Sequence, residues 1–160
     1  MSDLLTRNEY QAIADALVYP RAAFIDGKYQ AGHGDTLTSI NPATGETLAE
    51  IAACNADDVD FAVQKAKEAF EQGHWAKMHP TERKGVLVRL SKLMTRNRRE
   101  LAVLESLESG KPIADCENID IPESIHTILW HAEAVDKIYD QTGPSGDGAI
   151  SMIVREPIGV

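Results

Sequence analysis

Positive charge, sulfur and long apolar runs are all scarce in this sequence. Lysine and arginine total 16 against 25 aspartates and glutamates, for a net charge of −9 and a pI near 5.0. That balance excludes a basic nucleic-acid footprint, favours solubility, and could draw cationic ligands locally. The only cysteines, Cys54 and Cys116, lack metal-site spacing and cannot build a disulfide framework. No apolar run approaches the roughly 20 residues that span a bilayer. The first 20 residues read as a short amphipathic helix carrying acids, not as the basic and apolar regions of a signal peptide. The expected location is the cytoplasm. What remains is 160 residues, 43% hydrophobic and 26% charged, the balance of a globular chain able to form one ordinary domain.

Punctuation residues divide the chain. Asp3 to Val18 carries Leu4, Leu5, Ile13, Ala14 and Leu17 among polar residues, a helix stopped by Tyr19-Pro20. Asp26-Gly27, between Phe24-Ile25 and Tyr29, predicts a tight hairpin because both residues tolerate positive φ. Residues 35–54 read as strand, turn, strand, with Asn41-Pro42 and Thr44-Gly45 at the turn. Asn55 is the expected N-cap of a helix with Val59, Ala62, Val63, Ala66, Ala69 and Phe70 on one face, ended by Gly73. Pro80 opens the next, striped by Val86, Leu90, Leu93 and Met94, with a break expected near Arg96 to Arg99. Leu101, Leu104 and Leu107 follow, up to the stop at Gly110-Lys111-Pro112. Pro122 is read as opening a last helix with Ile125, Ile128, Leu129, Ala132, Val135 and Tyr139 inward. Residues 141–148 are read as a loop, and Ala149 begins a closing strand with no evident sequential partner. It could join the early hairpins or belong to a sheet not in this stretch.

Five stretches carry a resemblance: FIDGKY at 24–29, INPATGE at 40–46, ESLESGKP at 105–112, WHAEAVDKIY at 130–139 and VREPIGV at 154–160. In this order and spacing they resemble the N-terminal region of the aldehyde dehydrogenase superfamily, from about Phe24 to Val160. The nearest likeness is to bacterial enzymes acting on γ-glutamyl-aminobutyraldehyde and related aminoaldehydes. The resemblance implies an α/β protein (α+β over this stretch) with the Rossmann core missing. Residues 1–140 would be the helical and strand part of the cofactor-binding domain, and 141–160 a loop and the start of an oligomerisation strand. The catalytic domain would be absent, the chain being the leading portion of a longer enzyme. Implied with it are NAD or NADP, an aldehyde substrate and a homo-oligomer, with neither nucleic acid nor membrane as partner. The alternative is a non-enzymatic, self-associating or partner-binding helical module.

Aldehyde oxidation needs a thiolate, an oxyanion hole, a base and a hydride acceptor. None is expected within these residues. Cys54 follows an apolar strand, and the acids flanking Cys116 would raise its pKa, the reverse of an activated thiol. Gly32-His33-Gly34 and the glycines at 143–148 do not join a strand to a helix as a dinucleotide loop must. Histidines 33, 74, 79, 126 and 131 show no zinc-ligand arrangement.

Two site roles follow from the resemblance. It maps backbone carbonyl donors for a monovalent cation (sodium or potassium) onto Ser39 and Ile40, and a carboxylate donor onto Glu108, where the family more often has Asp. The plain account of Glu108 is a solvated acid in the last helical turn. It also maps a substrate mouth onto Ile119, Asp120 and Glu123, the two acids drawing in the ammonium end of an aminoaldehyde, with Trp130 as an apolar neighbour. The plain account of these acids is that they complement the dipole at a helix N-terminus, worth roughly 0.3–1 kcal/mol.

Overall fold

The computed structural model describes residues 3–159; Met1, Ser2 and Val160, which the expected first helix approaches and the last motif includes, lie outside them. Helices and short antiparallel ribbons alternate, an α+β arrangement as expected. Helix α1 runs Arg7–Ala16, shorter than the Asp3–Val18 expected. Thr6 forms a capping box with Glu9, so the helix begins where the first backbone donors find oxygen acceptors.

Strands β1 (Ala23–Ile25) and β2 (Lys28–Gln30) close over Asp26-Gly27, at φ 54° and 75°, the positive values a two-residue hairpin requires. β3 (Thr36–Ile40) and β4 (Thr47–Ala52) form a second ribbon, with a bulge between Ser39 and Ile40. The pair Gly32 and Gly34 has a structural reason: a Cβ on either would lie 2.6 or 2.7 Å from the Ala53 carbonyl oxygen, to which the Gly34 amide donates at 3.0 Å.

α2 (Ala56–Gln72) starts at Asn55, whose side chain accepts from the Asp58 amide, and ends at left-handed Gly73. Val59 and Val63 on its expected inner face stay half exposed among the described residues. α3 (Pro80–Arg96) and α4 (Arg98–Ser109) are separated only by Asn97, the expected break. Gly110, at φ 76°, ends α4.

The chain then departs from expectation. Pro122 does not open a helix. α5 (Ile113–Asp115) passes through a π-helical turn, Cys116–Asp120, into α6 (Ile121–Ala134), all in right-handed geometry. Propensity around Pro122 suggested a start because proline lacks an N–H; Pro122 is the second residue of α6, directly after the π turn, where the missing donor is tolerated. α6 also stops at Ala134, so Tyr139, expected inward, lies beyond it and is exposed. Residues 141–148 are not wholly a loop either: β5 (Gln141–Gly143) pairs antiparallel with β6 (Ser151–Ile153), which gives the closing strand its partner.

The hydrophobic centre joins Ala102 of α4, Cys116 and Ile121, with Leu101, Ile113 and Ile125 packed against it. α3 lies along α6, and Lys84 reaches Asp136 at 2.9 Å just past the end of α6. A charged cluster ties α1 to α4. Glu117 is buried and accepts from the Tyr10 hydroxyl and from Arg99 Nε at 3.3 Å, while Asp3 pairs with Arg98 at 2.7 Å and Arg99 at 3.2 Å.

Candidate functional site

The turn after α4 is the joint on which both expected sites hang. Gly110 is left-handed and sits so close to Pro42 that a Cβ would meet the proline ring at 3.0 Å. This presses the end of α4 against the β3–β4 turn. There Asn41 is buried; its side chain accepts from the Ala43 amide at 2.9 Å and its carbonyl from the Gly45 amide at 2.8 Å. As a result Ser39 and Glu108, 69 positions apart, come together: the Ser39 hydroxyl donates to Glu108 Oε1 at 3.4 Å. Ile40 follows Ser39 at the bulge and its side chain is half exposed. Among the described residues no group of three histidine, cysteine or acidic side chains could hold a metal. Any ion here would rely on backbone oxygens and one carboxylate.

Past the same turn, Lys111 is fixed through its backbone, its carbonyl accepting from the Ser106 hydroxyl at 2.7 Å and its amide donating to Ser109 Oγ at 3.3 Å. Its ammonium reaches Asp120 Oδ2 at 2.9 Å and Glu105 at 3.9 Å. The hydrogen bond to Asp120, with that residue's charge, raises the Lys111 pKa. Asp120 and Glu123 therefore differ. Asp120 closes the π turn, half-buried and ion-paired, and makes no capping bond to the helix it precedes. Glu123 is exposed and lines a groove of about 260 Å³ with His126, Thr127 and Trp130. Glu123 and Trp130 are seven residues apart, two helical turns, and so share a face. Ile119 is 54% exposed and Trp130 59%, apolar surface beside an acid. The dipole account of the acids loses its basis, because the helix they were to start is continuous with α5 and the π turn.

Cys54 is exposed, and Cys116 is fully buried. Burial is the first cause of the raised Cys116 pKa, with Asp120 and Glu105 adding to it; the sequence suggested the direction but credited the flanking acids. Side-chain oxygen or nitrogen from Thr6, Asn55 and His79 fills the N-termini of α1, α2 and α3. Sequence reasoning missed the His33–Asp58 pair. His33 donates its amide to Asp58 Oδ2 at 2.8 Å, and its ring meets Oδ1 at 2.5 Å, beside a cavity of about 260 Å³ that Cys54 also lines. It missed Lys111–Asp120 as well, although a lysine directly after a helix-ending glycine was a usable signal.

The chain as a whole has relatives of known class. The model of the aldehyde dehydrogenase family matches residues 29–160, and the chain belongs to that family. Aminoacetaldehyde dehydrogenase of Pseudomonas aeruginosa is 55% identical over all of this chain, which covers 32% of that protein. The structure of the P. syringae indole-3-acetaldehyde dehydrogenase AldA, in complex with NAD+, superimposes with a TM-score of 0.93 at 38% identity, covering 98% of this chain and 32% of that one. A γ-glutamyl-γ-aminobutyraldehyde dehydrogenase structure from Burkholderia cenocepacia does so at 0.85 and 39%, covering 89% and 29%. This chain spans about a third of the length of the relatives it matches.

Proposed function

We propose that the protein carrying this chain is an NAD(P)-dependent dehydrogenase that oxidises an aminoaldehyde to its carboxylic acid. We assign to this chain the outer part of the substrate site. The observation that carries the reading is Glu123, an exposed carboxylate without an ion-pair partner among the described residues, standing in one groove with the Trp130 ring. A carboxylate beside an aromatic face suits an ammonium, which gains Coulomb and cation–π attraction together. The 55% identity to an aminoacetaldehyde dehydrogenase supports the substrate class, and the NAD+ complex of the indole-3-acetaldehyde enzyme supports the nicotinamide. When bound, the nicotinamide accepts the hydride; this chain's part is to orient the far end of the substrate. Glu108 with the Ser39 and Ile40 carbonyls is proposed as a monovalent cation site that stiffens the α4–β3 joint. The exposed apolar strand β6 is proposed to meet another copy of the protein, and the cytoplasm is proposed as its location.

The test is steady-state NADH formation by the intact protein with 3-aminopropanal and with butanal, a neutral aldehyde of equal length. Asp120→Asn with Glu123→Gln should raise KM for 3-aminopropanal about tenfold, leaving butanal and kcat nearly unchanged, because the contact is remote from the carbonyl. Equal losses on both aldehydes, or none on either, would remove these residues from the substrate site.

A further inference from the structure

We infer that Lys111 sets the charge of the substrate mouth: by occupying Asp120 it leaves Glu123 as the single carboxylate that meets the substrate's cation. This rests on the aminoaldehyde reading above and adds a residue that acts through another. The sequence presents Asp120 and Glu123 as an equivalent pair. The structure separates them, since Lys111 Nζ lies 2.9 Å from Asp120 while no basic group lies within 4 Å of Glu123 among the described residues. The backbone from which Lys111 reaches is anchored: its peptide group is held on both sides by Ser106 and Ser109, and the preceding Gly110 is pressed on Pro42. Glu105, at 3.9 Å, shares the ammonium and offers a second resting place on the same side.

The consequence is electrostatic. Lys111 makes the local charge that an incoming ammonium meets one unit less negative, and the ammonium must displace Lys111 to reach Asp120. Lys111 is thus a positioning and specificity-determining residue: it weakens discrimination between an aminoaldehyde and its neutral analogue. It also spares the free site two unpaired like charges on neighbouring turns, which is a reason for the pair to exist.

The experiment uses the intact protein, 3-aminopropanal and butanal. Lys111→Met should lower KM for 3-aminopropanal by about threefold to tenfold, with kcat and the butanal parameters unchanged, and the gain should fade as salt approaches about 0.5 M. Lys111→Gln, which keeps a polar end should methionine disturb the turn, should act in the same direction. Lys111→Arg should restore the original KM, and adding Asp120→Asn to Lys111→Met should erase the gain. A role in folding alone would move both aldehydes together. The inference is overturned if Lys111→Met and Lys111→Gln leave the 3-aminopropanal KM unchanged, or shift both substrates equally, while Glu123→Gln still separates them. If Glu123→Gln and Asp120→Asn in the Lys111→Met background also fail to separate the aldehydes, the substrate-site reading itself falls, and this inference with it.

Discussion

Along α4, the π turn and α6, buried groups find partners within the chain, whereas the three ribbons turn apolar side chains outward. In the helical region Ala102, Cys116 and Ala132 are fully buried, and even a buried charge, Glu117, is matched by Tyr10, Arg98 and Arg99. In the ribbons, Phe24, Tyr29, Leu37, Ile40, Met152 and Ile153 are each more than half exposed. A two-stranded ribbon is marginal by itself and gains stability only when a face is covered. The contrast is between α4, the π turn and α6, which bury a common centre, and ribbons that leave most of their large apolar side chains outside it.

The comparison breaks most sharply at the Glu117 cluster. Arg99→Met should lower the opening free energy of α1 and α4 amides, read by hydrogen exchange in the intact protein, by about 2–3 kcal/mol. Arg98, 3.7 Å from Glu117, keeps the loss below that of a wholly unpaired buried charge. An unchanged exchange pattern would show that Glu117 is satisfied without Arg99.

A middle-sized effect is expected where ribbon and helix meet. Asp58 is held down to about 2 from 3.8, first by the amide of His33, then by its ring and the Asn55 amide. The His33 pKa is raised from 6.5, first by its hydrogen bond to Asp58. The Asp58 contribution is present above its ordinary value and lost as pH falls toward 2. The His33 contribution is present below 6.5 and lost as pH rises through the raised value. The tie between residues 31–35 and α2 should therefore be firmest between these limits and loosen on either side. NMR titration of His33 checks it. Asp58→Asn should return the His33 midpoint to the ordinary range, and a midpoint indifferent to this change would dissolve the tie.

The smallest effect belongs to the ribbon itself. Phe24 and Tyr29 stack edge to face at 5.2 Å between centroids, directly opposite each other in β1 and β2. Phe24→Ala should cost the hairpin about 0.5–1.5 kcal/mol while α4 and α6 exchange is unaltered. A loss spreading into the helices would mean the two regions fold as one unit.

Local chemistry made much of this legible beforehand. Asp26-Gly27 dictates its hairpin, and Gly73 and Gly110 stop their helices, because positive φ is a property of one or two residues. The β5–β6 pairing was not legible: Gln141–Gly143 holds no apolar residue, and strand pairing across a seven-residue connection is decided by what lies opposite. Nor was the π turn, whose longer hydrogen bonds arise from packing rather than propensity. Of the site residues, Ser39 and Glu108 are joined in the sequence by the resemblance alone; the physical reason they meet, the Gly110–Pro42 contact, is tertiary and not legible in local sequence. Asp120 and Glu123 looked alike in sequence because nothing there says where Lys111 points.

The π turn has one more consequence, which concerns length rather than identity. A π turn holds one residue more than the α turn it replaces, so it absorbs a change of length locally and leaves the helix beyond it in register. Losing one residue from Cys116–Asp120 would convert the turn to α geometry and leave Glu123, Thr127 and Trp130 on the side they now occupy. Losing one between Glu123 and Trp130, within regular α6, would turn Trp130 by about 100° away from the acid. The groove thus tolerates a shorter chain before it and none inside it.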